Sequence, residues 1–217
     1  MLSSKCSNGY NLVDVDAYCG LPVQQSKGPF VESYLSNLKA VIDAVFAEFP
    51  RVFAFRVDLR LPVDFAFRED ASRGAISLFL ESFKAKIKHD RDMAKKNRNN
   101  VHDTSVRYVW AREYSADGRP HHHVMFFLNR DAYFSLGKLQ SNNVNMIHRL
   151  EEAWASALGL TLEQVSGLVH VPENPSYLVS KGEWEGRCDI FYRASYLCKL
   201  ATKRYGDGRH GFGYSRG

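Results

Sequence analysis

The stretch Val106 to Leu128, VRYVWAREYSADGRPHHHVMFFL, holds two extended segments around a turn. In the first, Tyr108, Trp110, Arg112 and Tyr114 alternate with Arg107, Val109, Ala111 and Glu113, the period of a strand with two different faces. Ser115-Ala116-Asp117-Gly118 follows, and Asp-Gly accepts the positive φ angles that a tight hairpin turn demands. The second segment opens on Arg119-Pro120-His121-His122-His123 and runs into the apolar block Val124-Met125-Phe126-Phe127-Leu128. Alternation points His121 and His123 to one face and His122 to the other. The apolar block anchors this strand in a sheet and holds the imidazoles rigidly, as a ligand pair requires. Antiparallel pairing across the turn brings Glu113 beside them. Two histidines and one carboxylate bind a divalent ion and leave positions open for water or substrate oxygen. From these residues alone a competing reading stays open, a partly exposed strand end with Glu113 paired to a neighbouring arginine.

Working outward, Val31, Leu35, Leu38, Val41, Ile42, Val45 and Phe46 recur at three and four, so a helix runs from about Phe30 to Glu48 and stops before Pro50. Arg51 to Pro62, RVFAFRVDLRLP, alternates again. Phe53, Phe55, Val57 and Leu59 face one way and Arg56, Asp58 and Arg60 the other, a strand with a wet, charged face. Together these segments predict an α+β fold with a central antiparallel sheet, helices packed on one face and the other left open for a charged ligand. Asp64 to Gly74 reads as a loop. A helix from Ala75 to Asn97 follows, apolar in its first half and rich in lysine in its second. Lys95, Lys96 and the adjoining Arg98 are either a solvated face or a phosphate-binding end. Further on, Tyr133 to Leu158 reads as helix, Gly167 to Val171 as a short edge strand, Glu173 to Gly186 as loop and Cys188 to Arg204 as helix. On that last helix Tyr192, Tyr196 and Lys199 fall at i, i+4 and i+7 and share a face.

The chain has 217 residues, 45% of them apolar, enough for one domain with a substantial core. Its expected organisation is an N-terminal arm over residues 1–28, one folded domain over 29–205 and a flexible tail rich in Gly and Arg over 206–217. The formal net charge of +5 favours a polyanionic partner. Cys6, Cys19, Cys188 and Cys198 show no C-x-x-C spacing, which argues against a zinc ribbon and for reduced thiols. No secretory leader or membrane-length apolar run is present in the sequence, so a cytosolic location is expected.

His-x-His followed about 70 residues later by Tyr-x-x-x-Tyr-x-x-Lys resembles the HUH endonuclease superfamily, in particular its two-tyrosine rolling-circle initiators and the filamentous-phage gene II-type replication proteins. The matching positions are His121 and His123 on the strand and Tyr192, Tyr196 and Lys199 on the later segment. Two features depart from the pattern. His122 replaces the usual hydrophobe, and the sequence does not fix the third ligand; the strand from Phe53 to Leu61 resembles the first motif in position and pattern only. The resemblance implies a ferredoxin-like, palm-like nuclease domain. It implies Mg²⁺ or Mn²⁺ held by His121, His123 and Glu113, and attack by Tyr192 or Tyr196 on single-stranded DNA to leave a 5′-phosphotyrosine and a free 3′-OH. Lys199 would assist the phenol, while Arg56, Arg60, Lys95, Lys96 and Arg98 would hold phosphates. Origin DNA would be the substrate, with host helicase and polymerase as partners, since no Walker motif is present. Two other readings stand beside this one: a non-catalytic DNA-binding regulator of the same fold, and a metal-dependent hydrolase that uses water.

Overall fold

The computed structural model describes residues 3–5, 9–63, 74–137, 144–204, 206 and 210–216. Three long strands form its centre: β6 (Arg51–Arg60), β7 (Arg107–Tyr114) and β8 (Pro120–Asn129). The hairpin forms as the Asp-Gly turn predicts, with Gly118 at φ 80°, and its register sets Glu113 opposite His121 and Ala111 opposite His123. On its other side β8 pairs antiparallel with β6, which sets Asp58 opposite His123 and Arg60 opposite His121. Short strands complete the sheet. β9 (Val169–His170) and β10 (Ser176–Ser180) both pair with β6, and β11 (Phe212–Tyr214) pairs with β7, every one of these pairs antiparallel.

The fold is α+β with an antiparallel sheet, but helices cover both faces of it and not one. On the face of His121 and His123, helices α1 (Glu32–Glu48) and α4 (Trp184–Ser195) bury Leu35, Leu38, Val45, Ile190 and Phe191 against Val52, Ala54, Val109, Met125 and Phe127. On the face of His122, helices α2 (Ala75–Asn97) and α3 (Met146–Leu158) bury Phe79, Phe83, Leu150 and Trp154 against Phe53, Phe55, Val124 and Phe126. The unbroken run from Val124 to Leu128 carries the reason: a strand that is apolar on both sides must be covered on both sides. The charged alternation of β6 is therefore no open platform. It occupies only the end of that strand, past the apolar Val52 and Ala54.

Three other segments differ from expectation. The N-terminal arm contributes the short strands β1 (Ser3–Lys5), β2 (Asn11–Val13), β3 (Ala17–Tyr18) and β4 (Leu21–Pro22), β2 pairs with β5 (Phe30–Val31) just beyond the arm, and Val13, Leu21 and Val23 join the core. Ser176 to Ser180, within the predicted loop, pairs as an edge strand because Val179 fills the space beside Gly186 of α4. Phe212 to Tyr214, within the predicted flexible tail, docks on β7, with Phe212 stacked on Tyr34 at 4.2 Å between ring centroids. Only the Met146 to Leu158 part of the long predicted helix is helical among the described residues. Residues 64–73, most of the predicted Asp64 to Gly74 loop, lie outside the described residues, as do 138–143.

The docking of β11 depends on a missing side chain. Gly213 lies directly over Trp110, and a Cβ there would sit 2.5 Å from the indole. Gly213→Val is expected to cost about 1–3 kcal/mol, the range for overpacking, and to undock β11 while the rest of the sheet persists. Amide exchange will check this: Trp110 and Arg112, whose N–H groups face β11, lose protection, whereas Val124 to Leu128 keep theirs.

Candidate metal centre

Six charged or ligating side chains on one face of the sheet meet at the His-x-His end of the strands. His121 Nε2 and His123 Nε2 stand 3.2 Å apart. Glu113 Oε2 lies 3.4 Å from His123 Nε2, and one ligand atom from each of the three residues lies within 4.8 Å of the other two. Strand register alone produces this convergence, because Glu113 and His121 are direct cross-strand neighbours and His123 follows on the same face. Among the described residues no other group of three or more His, Cys, Asp or Glu side chains comes together in this way.

The back of His123 is held by β6. Asp58 Oδ1 lies 2.6 Å from Nδ1, and Arg56 Nε donates to the same carboxylate at 3.0 Å. Arg56 Nη2 is also 2.8 Å from Nδ1. A guanidinium only donates, so the hydrogen on Nδ1 is assigned from the shorter, charged contact to Asp58. That tautomer leaves Nε2 with its lone pair toward His121 and Glu113, the usual outer support of a ligating histidine.

Burial raises the Asp58 carboxyl, but the hydrogen bond to His123 and the charge of Arg56 outweigh it and bring its pKa down to about 2. Burial likewise opposes ionisation of Glu113, and there the Lys203 and Lys199 ammonium groups win, holding the carboxyl well below the ordinary range. Burial, helped by the neighbouring His123, lowers the pKa of His121. The set at neutral pH is thus an ionised carboxylate with a neutral His121. His122, on the opposite face, is enclosed between Trp110 and Trp154, with ring centroids at 5.8 and 6.4 Å. Burial and Arg112 lower its pKa to about 3.

The chain after α4 does not continue as the predicted helix. It tightens into a 3₁₀ turn at Tyr196–Cys198, and Lys199 is already extended, forming an isolated bridge with Phe30. Tyr192, Tyr196 and Lys199 therefore do not share a helical face. Ser195 Oγ accepts from the Gln24 backbone and donates to the Tyr192 carbonyl, which fixes the break. Tyr196 turns inward, its ring edge-on to His123 at 5.5 Å. The Arg56 guanidinium lies 4.8 Å, and Lys199 Nζ 3.6 Å, from that ring's centroid. Tyr192 is 47% exposed, and among the described residues its ring meets neither imidazole.

Of the expected phosphate-binding residues, Arg56 is spent on Asp58 and His123, inside the site. Arg60 remains exposed and lines a cavity of about 480 Å³ with His121, His123, Arg119 and Leu168. Lys95, Lys96 and Arg98 are not part of this site. They end α2 on the opposite face, Lys95 pairs with Asp103, and Asn129, at the far end of β8 from His121, binds the Asp103 carbonyl. Eight residues of strand separate the two ends, roughly 26 Å.

Three participants were not singled out from sequence. Asp58 was legible only as a member of the Arg56 and Arg60 face. Thr202 Oγ1 donates to Glu113 Oε2 at 2.8 Å from a backbone at φ 67°, a strained conformation for a β-branched residue that the surrounding contacts hold in place. Lys203, fully buried at its side chain, stands 3.6 Å from Glu113 Oε1. Nothing in its local sequence distinguishes it from a surface lysine.

The relatives of the chain agree with a single continuous unit. The model of the YagK/YfjJ C-terminal domain family matches residues 15–215. The chain belongs to that family. The YagK/YfjJ relatives include the Escherichia coli (strain K12) protein YfjJ, 33% identical over 88% of this chain and 97% of its own length. The protein YagK of the same strain is 31% identical over 89% of this chain and 97% of its own length. Both carry the description "uncharacterized". No solved structure matches the chain. Among the described residues no helix is long and apolar enough to cross a membrane.

The lowered Asp58 carboxyl predicts a signed pH dependence. A pKa depressed from 3.8 to about 2 contributes stability that is complete above about pH 4 and is lost as pH falls through 2. Asp58→Asn is therefore expected to cost about 2 kcal/mol at pH 7, measured in chelator by urea unfolding. The gap between the two proteins narrows as pH falls from 4 toward 2; a gap that does not change with pH would contradict the assignment.

Proposed function

We propose that this chain is a metal-dependent, site-specific single-strand DNA endonuclease and strand transferase, with Tyr196 as its nucleophile. The observation that carries the reading is the convergence of Glu113, His121 and His123 beside an inward phenol flanked by two cations. A buried carboxylate and two imidazoles, with one ligand atom of each within 4.8 Å of the other two, form a donor set that fits a divalent ion. Of Mg²⁺ and Mn²⁺, the two nitrogen donors favour Mn²⁺. When bound, the ion would polarise a phosphate and stabilise charge on its oxygens.

The chain's own residues do the rest. Asp58 and Arg56 fix the ring of His123. Arg56 and Lys199 stabilise the negative charge that develops on the Tyr196 phenol as it loses its proton and attacks phosphorus. The new bond is phosphotyrosine, the bond broken is that to the 3′-oxygen, and the 3′-OH produced can prime synthesis. Arg60 is placed to hold a phosphate at the mouth of the cavity, an interaction that weakens with salt. Tyr192, exposed one turn away, suits the second cleavage of a two-tyrosine cycle, in which the initiator of a phage or mobile element closes a circle. This reading places the protein in the cytosol with origin DNA, a host helicase and a polymerase. The ferredoxin-like, palm-like identity of the sheet belongs to the same proposal.

The test uses labelled single-stranded oligonucleotides tiled across the DNA around the protein's own gene, with Mn²⁺, resolved on denaturing gels. A covalent protein–DNA adduct is expected. Tyr196→Phe abolishes it, Tyr192→Phe retains the first cleavage, and His121→Ala or His123→Ala slows it by about 10²-fold or more, the scale of lost electrostatic stabilisation. Cleavage with no adduct would replace the reading with a hydrolase that uses water. Binding with no cleavage would replace it with a DNA-binding regulator.

A further inference from the structure

The carboxylate oxygen that faces His123 already has an ammonium on it. Glu113 Oε2 accepts from Thr202 Oγ1 at 2.8 Å and from Lys199 Nζ at 2.9 Å, and it is the oxygen that faces His123 Nε2. An ion bound through this oxygen, the one that faces His123, must compete with these donors for its lone pairs. Thr202 is neutral and costs such an ion little. Lys199 carries a full charge, is only 5% exposed, and sits between Glu113 and the Tyr196 ring. An ammonium and a dication on one oxygen repel strongly where water is excluded. Lys203 does not take over this role, because its Nζ donates to the Lys199 carbonyl at 2.7 Å and lies on the other oxygen, Oε1.

We propose that the Lys199 ammonium and a divalent ion compete for Glu113, so that Lys199 sets the ion concentration at which the site loads. Loading moves Lys199 off the carboxylate and leaves it against Tyr196. The inference rests on the metal-site reading above and goes beyond it. Lys199, which the resemblance assigns to the nucleophile alone, is also the counter-charge that keeps Glu113 satisfied in the ion-free state. It acts on the ion through Glu113, as a positioning residue, and its removal has an unusual sign. A lysine that only supports packing or binds phosphate leaves ion affinity unchanged or weaker when it is lost, whereas a competitor strengthens it.

Mn²⁺ titration calorimetry of the full chain without DNA decides between these. Lys199→Met is expected to bind Mn²⁺ at least about tenfold tighter than the natural chain, and Lys199→Arg, which keeps the charge, within about threefold of it. Equal or weaker binding by Lys199→Met overturns the proposal. Should that variant fail to fold without an ion, the natural chain provides the second measurement, the NMR signal of the Lys199 NH₃⁺ group during titration with diamagnetic Zn²⁺. The signal should shift on loading, and one that stays in place at saturation overturns the proposal. Failure here is separable from failure of the nuclease reading. An adduct in the oligonucleotide assay with unchanged Mn²⁺ affinity in Lys199→Met refutes the competition alone. Tighter Mn²⁺ binding with no adduct leaves the competition standing. No Mn²⁺ binding by either chain refutes both.

Discussion

The site is organised by one costly choice, an ionised carboxylate buried in the sheet. Glu113 is 2% exposed at its side chain, and a buried carboxylate left alone would take up a proton or cost several kcal/mol. Here it is kept charged by three neighbours from one later segment, Lys199, Thr202 and Lys203, which follow α4. That demand accounts for the irregular course of the chain between residues 195 and 203. A continued helix would carry Lys199 one turn past Tyr196 on the same face. The 3₁₀ turn and the strained Thr202 bring the ammonium and hydroxyl groups back to Glu113.

A rigid sheet makes such a site possible. Because both faces are packed, the strands that carry Asp58, Glu113, His121 and His123 cannot shift register without expelling a set of phenylalanines on one side and a set of aliphatic residues on the other. Their side-chain atoms inherit that precision. The same packing confines polar chemistry to the ends of the strands, where β6 changes from Val52 and Ala54 to Arg56, Asp58 and Arg60. It also divides the cationic residues. Arg56 and Arg60 belong to the site, whereas the lysines at the end of α2 stand on the other face and at the other end of the sheet.

Membership of the YagK/YfjJ C-terminal domain family fits this architecture, since the matched region runs from the arm to β11 and so includes every element that meets at Glu113. The segment from Phe212 to Tyr214 is part of that unit. Tyr34 of α1 stacks on Phe212, and Trp110 of β7 lies under Gly213, so the end of the chain seals the edge of the sheet beside the strand that carries Glu113.

What was legible in the sequence is what depends on local periodicity. The hairpin, the register that opposes Glu113 to His121, the pairing of His121 with His123 and the exclusion of His122 all follow from alternation and one Asp-Gly turn. The bounds of α2 follow from its apolar spacing and match the observed helix. The charged alternation of β6 by itself predicts one covered face, and the apolar run of β8 requires two. What only the tertiary structure decided depends on contacts between distant segments. A helix and a 3₁₀ turn have nearly the same local spacing, so the sequence could not show that Tyr196 turns in while Tyr192 stays out. Lys203 and Thr202 have no local pattern at all; they become site residues because a buried charge some ninety positions earlier draws them in. The sequence by itself determined that Glu113, His121 and His123 meet, through strand geometry, and the fold decided what surrounds them, because compensating a buried carboxylate is a three-dimensional requirement with no period along the chain.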